Sequence, residues 1–228
     1  MGYCMRFDDF LNELKSIYGK GITFIDIDNT LFKTFAKIKV IDDKSGKIIK
    51  ELDNQEFNTF ILPPDTHYDF AEFKNAELFN KTSIPIPKTI DRIKRMFVNI
   101  SERKSKVVFL TARSNLDNKE LFLETFRKYG IPIDNIYVER AGNLKGTVSS
   151  NKKVIVLKYI ATGEYRRVRL IDDDMKNLKE FLKLQNTLPE SLINKIKKKY
   201  NITEVETIPV VEFFALQALP NGSLRRVV

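Results

Sequence analysis

Short apolar runs alternate with one-faced helical patterns along this chain, and that alternation predicts most of its architecture. Residues 22–27 form a compact run rich in β-branched and aromatic side chains, opened by Gly21 and closed by the polar cluster Asp28-Asn29-Thr30. Such a run reads as a buried strand of a parallel sheet. Further runs at 106–110, 136–138, 167–171 and 209–218 predict four more strands. Between them, apolar positions recur at helical spacing in 88–100, 117–129, 149–161, 175–184 and 191–200, and before them in 7–18. Strands alternating with helices predict an α/β fold, a three-layer, doubly wound, mostly parallel sheet.

The segment 33–87 breaks this rhythm. Lysine-rich stretches at 37–41 and 47–51 flank Asp43-Lys44-Ser45-Gly46, a hairpin signal. Many rings follow (Phe57, Phe60, Tyr68, Phe70, Phe73, Phe79), interrupted by Pro63-Pro64, Pro85 and Pro87. The expected organisation is a core of residues 1–32 and 88–228 with an inserted cap at 33–87. The rings are expected chiefly as a small core of that cap, with some free to stack on a ligand or to exclude water. His67, the single histidine, lies between Asp65 and Asp69 and is expected to be solvated.

Chemistry enters at the strand ends. Asp26 lies inside an apolar run and Asp28 two residues on, although aspartate is depleted in strands and costly to bury unpaired. Helix or turn capping would account for Asp28 to Thr30, but poorly for Asp26. Thr111 ends the 106–110 run, followed by the polar Arg113 loop. Lys152 and Lys153 fall in the expected first turn of the 149–161 helix, where a cation opposes the helix dipole unless an anion is to be met. Asp172-Asp173-Asp174 ends the 167–171 run, with Asp174 suited to cap the next helix. Four carboxylates at one strand edge would repel, by roughly 4 kcal/mol for a pair about 4 Å apart at an effective dielectric of 20. A divalent cation relieves that, and all-oxygen ligands favour Mg²⁺ over zinc.

The ordered set of DxDxT (Asp26, Asp28, Thr30), Thr111, a lysine and Asp172-Asp173 resembles the motifs of the haloacid dehalogenase-like phosphatases, over roughly residues 21–184. The resemblance implies the fold above with a small cap of the C1 type. It implies a Mg²⁺-dependent phosphohydrolase in which Asp26 is the nucleophile and Asp28 the general acid and base. Thr111 and a lysine would hold the phosphoryl oxygens. Lys153 is the preferred lysine, one turn before Leu157, with Lys152 the alternative. The metal set by resemblance is Asp26, Asp28, Asp172 and Asp173. Thr30, Arg113 and Lys152 are substrate-binding candidates, and Arg140 could also face the site. The phrases FLETFRKYGI and VRLIDDDMKNL are similar to phage-encoded members. A receiver-type signalling domain uses similar residues, but there the acidic pair comes first in the chain.

Charge narrows the substrate. With 39 Lys and Arg against 30 Asp and Glu, the net charge is +9, which favours an anionic partner. A nucleotide or a polynucleotide 3′-phosphate is the expected substrate. The alternative is a weakly active or inactive protein of the same fold that binds nucleic acid. One cysteine, Cys4, permits no internal disulfide. With no apolar run of membrane-spanning length, a cytoplasmic setting is expected, the host cytoplasm if the source is viral. Oligomeric state is not legible.

Overall fold

The computed structural model describes residues 19–103, 105–202 and 209–228. The helix expected over 7–18 lies outside them. The core is a six-stranded sheet in the order β11-β10-β9-β1-β7-β8. Its strands are β1 (Lys20–Ile25), β7 (Lys106–Thr111), β8 (Tyr137–Arg140), β9 (Tyr165–Asp172), β10 (Glu212–Ala218) and β11 (Leu224–Val227). All pairings are parallel except β10 with β11. The fold is therefore α/β with a mostly parallel central sheet, compatible with a Rossmann-like fold.

Alternation along β1 explains the layering. Ile22 and Phe24 enter one apolar cluster, with Ile155, Ile160, Phe181 and Ile196 from α6 (Val148–Ile160), α7 (Met175–Leu182) and α8 (Glu190–Tyr200). Ile25 and Ile27 enter the other, with Ile90, Ile93, Phe122 and Phe126 from α4 (Pro87–Arg103) and α5 (Lys119–Lys128). A central strand buried on both faces needs such a continuous apolar run. The chain leaves β1 toward β7 and β8, then returns to place β9 on β1's other side. Ligand sites of open α/β sheets form at this switch, at the carboxyl ends of the strands.

The inserted segment is clasped to the core where it leaves and returns. There β2 (Phe32–Lys33) pairs with β6 (Ile84–Pro85). Beyond the clasp, β3 (Ile38–Asp42) is central in a three-stranded antiparallel sheet, between β4 (Ile48–Leu52) and β5 (Thr66–Asp69). The hairpin of β3 and β4 lies where the lysine-rich pattern puts it. The third strand had no signal, because THYD is short and has one apolar ring, Tyr68, among polar residues. Three short helices complete the insertion: α1 (Asn54–Thr59), α2 (Ala71–Lys74) and α3 (Ala76–Thr82). Ile38, Val40 and Leu52 form its small core with Phe57, Phe60, Leu62, Tyr68 and Phe73. Phe79 packs instead into the main core. His67 pairs with Asp43 at 2.6 Å on the exposed outer face of this sheet.

The basic tail is not a free end: Asn221-Gly222 turns it back as β11 along β10. Among the described residues no helix is long and apolar enough to cross a membrane.

Candidate functional site

Three strand ends meet at one point. Backbone pairing sets β1 between β7 and β9, so Asp26 and Asp28 after β1, Thr111 ending β7 and Asp172 ending β9 converge. Lys152 joins them from α6. Its ammonium lies 2.6 Å from Asp26 Oδ1 and 2.7 Å from Asp172 Oδ2, in a fully desolvated contact. Burial alone would lower the Lys152 pKa, but its two carboxylate partners outweigh burial and hold it above the usual value.

This reverses the expected choice of lysine. Lys153 points away, 3.7 Å from Glu180 on α7 and partly exposed. The reason is the helix face. Lys152 shares the buried side of α6 with Ile155, Val156 and Tyr159, three, four and seven positions on, and Lys153 falls about 100° round from it. Thr147, not the Ser149-Ser150-Asn151 group, is the N-cap, its hydroxyl accepting from Ser150 N at 3.3 Å. Asn151, freed from capping, is buried and donates to the carbonyls of Ala141 and Leu144, both at 3.0 Å. It thereby fixes the loop that walls the site.

Asp28 has its own cation. Arg113, only 2 % exposed, donates through Nε and Nη2 to both Asp28 oxygens at 2.7–3.2 Å. Its third direction is used on the Phe73 carbonyl at 2.9 Å, and its plane sits between the Phe73 and Phe79 rings. Thr34 donates to Asp28 Oδ1 at 2.7 Å. Burial would raise the Asp28 pKa, but the Arg113 charge and hydrogen bonds reverse that and hold it below the ordinary carboxylate value. Arg113 therefore lines the cavity as the partner of Asp28 rather than as a free phosphate hook. Thr111 Oγ1 accepts from Arg113 N at 3.1 Å and lies 3.5 Å from Asp28.

The carboxylates that approach closely are Asp26, Asp172 and Asp173, with one oxygen of each within 4.8 Å of the others. Asp28, expected as a fourth ligand, falls outside this group because Arg113 and Thr34 hold it. Burial first, then the neighbouring charge of Asp172, pushes Asp173 up to about 7. Burial likewise raises Asp26 well above its usual value, against the pull of Lys152 and with the push of Asp172 and Asp173. Asp172 is oriented by Asp174 N at 3.0 Å and by the Asn177 amide at 3.1 and 3.2 Å. Asp174 caps α7, accepting from Lys176 N at 2.8 Å.

The donor set suits a hard dication. All three ligands are carboxylate oxygens, which magnesium and calcium prefer. With all four carboxylates ionised, Asp26, Asp28, Asp172 and Asp173 set against Lys152 and Arg113 leave two negative charges, the number one dication neutralises.

Two expected contacts are not made. Thr30 is wholly buried, its hydroxyl without a partner, and does not reach the cavity. Arg140 stacks on Phe122 at 5.4 Å, away from the cavity lining.

Above the carboxylates lies a cavity of about 550 Å³, roofed by Phe57, Tyr68, Phe70 and Phe73 of the insertion. The rings pack edge to face at 5.0–6.4 Å, a stiff wall rather than loose side chains. The opposite wall is the loop between β8 and α6. Gly142 lets this loop lie against residues 112–114. A Cβ there would sit 2.6 Å from Ser114 N and 2.7 Å from Arg113 C, and closer still to the Ala112 carbonyl. Gly142→Ala is therefore expected to cost about 1–3 kcal/mol, as overpacking does, and to move Arg113 off Asp28. Thermal unfolding together with the Arg113–Asp28 distances in a crystal structure of the variant would check both effects.

No known family model matches this chain, and no curated protein matches it either.

Sequence reasoning missed Thr34, Asn177 and the Asn151 clamp. Asn177 carries a weak signal, a polar residue in the first turn after an acidic strand end. Thr34 carries none, since only the clasp of β2 with β6 returns it to Asp28.

Proposed function

We propose that this protein is a Mg²⁺-dependent phosphohydrolase of the haloacid dehalogenase-like type, acting on a phosphate monoester of a nucleotide or a polynucleotide end. The observation that carries the reading is Lys152, buried between Asp26 and Asp172, which joins motifs 126 and 20 residues apart in sequence. Structural ion pairs rarely bury two carboxylates on one ammonium with a third carboxylate beside them, since desolvating them costs several kcal/mol per ion. A site that binds a charged substrate and a cation has a reason to keep them.

Asp26 and Asp173, with Asp172 beside them, would hold the Mg²⁺ ion, which when bound neutralises phosphoryl charge and aligns the phosphate. Asp26 attacks phosphorus through a carboxylate oxygen, and the bond from phosphorus to the leaving oxygen breaks. Asp28 gives that oxygen its proton and the alcohol departs. A water then loses a proton to Asp28 and attacks phosphorus. The bond to Asp26 breaks, releasing inorganic phosphate and restoring the Asp26 carboxylate and the protonated Asp28. Lys152 would stabilise the equatorial oxygens, while Thr111, wholly buried and outside the cavity lining, backs Asp28 instead. Arg113 favours the ionised Asp28 of the second half. For the first half Asp28 must be protonated, so Arg113 must loosen its grip when substrate fills the cavity.

Phosphate release from nucleoside 3′- and 5′-monophosphates, phosphorylated oligonucleotides, sugar phosphates and p-nitrophenyl phosphate, with Mg²⁺ and with EDTA, tests the reading. Metal-dependent release from the nucleotide class is expected. A folded protein that releases phosphate from none of them would leave the fold without this activity and favour nucleic-acid binding alone.

A further inference from the structure

A second cavity of about 600 Å³ opens beside the first, and the two share Asn54 and Asp173. They therefore meet at the carboxylate cluster. One wall of the second is the segment 33–37, which carries the chain from the core into the insertion. The facing wall is the end of β10, where the Gln217 amide donates to the Asp173 carbonyl at 3.2 Å. Thr34, in the first wall, is the residue that donates to Asp28. A leaving group at Asp28 thus has two ways out: under the aromatic roof, or along 33–37.

The chemistry of that second way is specific. Lys33 and Lys37 stand on either side of Phe35, which is 42 % exposed. The Lys33 ammonium lies 5.5 Å from the Phe35 ring centroid. Neither lysine belongs to an ion pair among the described residues. Of the two acids in the cleft, Asp53 accepts from Glu56 N at 2.8 Å as a helix cap, and Asp173 belongs to the cation cluster. Cations spaced along an exposed ring form the pattern that binds single-stranded nucleic acid: charge tracks the backbone and a base stacks on the ring. A free mononucleotide would need only the roofed cavity, whose volume is that of an ordinary small-molecule site. It gives no use to a second, basic cleft at the same phosphate.

We infer that the substrate is the phosphorylated end of a single-stranded polynucleotide, its terminal nucleotide under the aromatic roof and the adjoining strand along Lys33, Phe35 and Lys37. This rests on the phosphohydrolase reading for the reaction, but not for the binding.

Two measurements separate the two. Turnover of 3′- and 5′-phosphorylated oligothymidylates of increasing length is compared with that of p-nitrophenyl phosphate. A rise in kcat/KM with length of about tenfold or more is expected, the scale of one or two stacked bases, and it should shrink as salt is raised. In Lys33→Glu/Lys37→Glu and in Phe35→Ala the ratio of oligonucleotide to p-nitrophenyl phosphate turnover should fall by the same factor. Binding of a fluorescent, unphosphorylated oligothymidylate is measured in parallel by anisotropy, wild type against variants. If binding depends on length and on these residues while no phosphate is released from anything, the phosphohydrolase reading fails and the cleft assignment stands. Length-independent turnover and binding, or a length effect untouched in both variants, overturns the assignment. So does an equal preference for a phosphopeptide.

Discussion

Replacing Arg113 with methionine is expected to destabilise the protein by about 3–5 kcal/mol at neutral pH, the cost of stranding one member of a buried ion pair. The pair is well placed for so large an effect. Asp28 and Arg113 are 7 % and 2 % exposed, and the guanidinium spans both carboxylate oxygens. Methionine keeps the apolar contact with Phe73 and Phe79 but leaves Asp28 with only the hydroxyls of Thr34 and Thr111. Arg113→Lys should recover part of the loss, because an ammonium supplies charge without the fork that matches a carboxylate. The double variant Asp28→Asn/Arg113→Met should recover most of it, since no uncompensated charge then remains. Urea unfolding of the four proteins checks the series. If the double variant is as unstable as Arg113→Met, the loss comes from packing rather than from the pair.

On the proposed mechanism, Asp26→Asn is expected to lower turnover by at least about 10⁴-fold, as removal of a nucleophile does, and at the same time to raise the melting temperature in EDTA. The two effects have one cause. Asp26, Asp172 and Asp173 bring one oxygen each within 4.8 Å of the others, and Lys152 pairs with only the first two, so in the absence of a dication the fold bears their mutual repulsion. Burial and that repulsion hold the Asp26 carboxyl well above its usual pKa. An acid raised by folding is destabilising above its unfolded-state pKa, so an uncharged amide relieves the fold at neutral pH. The asparagine carbonyl still accepts from Lys152, which keeps Asp172 as its ion partner. Each 1 kcal/mol gained would move the melting temperature by about 2–4 °C for a chain of this size. Saturating Mg²⁺ should narrow the gap between wild type and variant, because the ion relieves the same repulsion. Calorimetry with and without Mg²⁺ tests this, and a variant less stable than wild type in EDTA would show that Asp26 is held by favourable bonds rather than against repulsion.

The sequence by itself determined the alternation of core strands and helices between 20 and 184, the change of pattern in 33–87 with its first hairpin, and the placing of Asp26, Asp28, Thr111 and Asp172 at strand ends. These follow from local rules. An apolar run with β-branched residues makes a strand, and an aspartate ending it must lie where the sheet meets solvent or a ligand. Asp174 as a helix cap was legible for the same reason.

Only the tertiary structure decided which side chains serve one another. Lys152 rather than Lys153 enters the site because α6 packs on the sheet through Ile155, Val156 and Tyr159, and Lys152 shares that face while Lys153 lies about 100° round the helix. Arg113 proved the partner of Asp28 because β7 lies next to β1, a pairing between residues 85 positions apart that no local pattern encodes. That pairing also took Asp28 out of the cation cluster. Thr30 turned inward because the Asn29 backbone, at φ 55°, bends the chain tightly after Asp28. The second cleft is likewise tertiary in origin. The lysines and the ring at 33–37 read as an ordinary basic stretch until the clasp of β2 with β6 and the end of β10 close a wall opposite them. Periodicity reports which face of an element is buried, but not which neighbour buries it, and the chemistry of this protein lies in the neighbours.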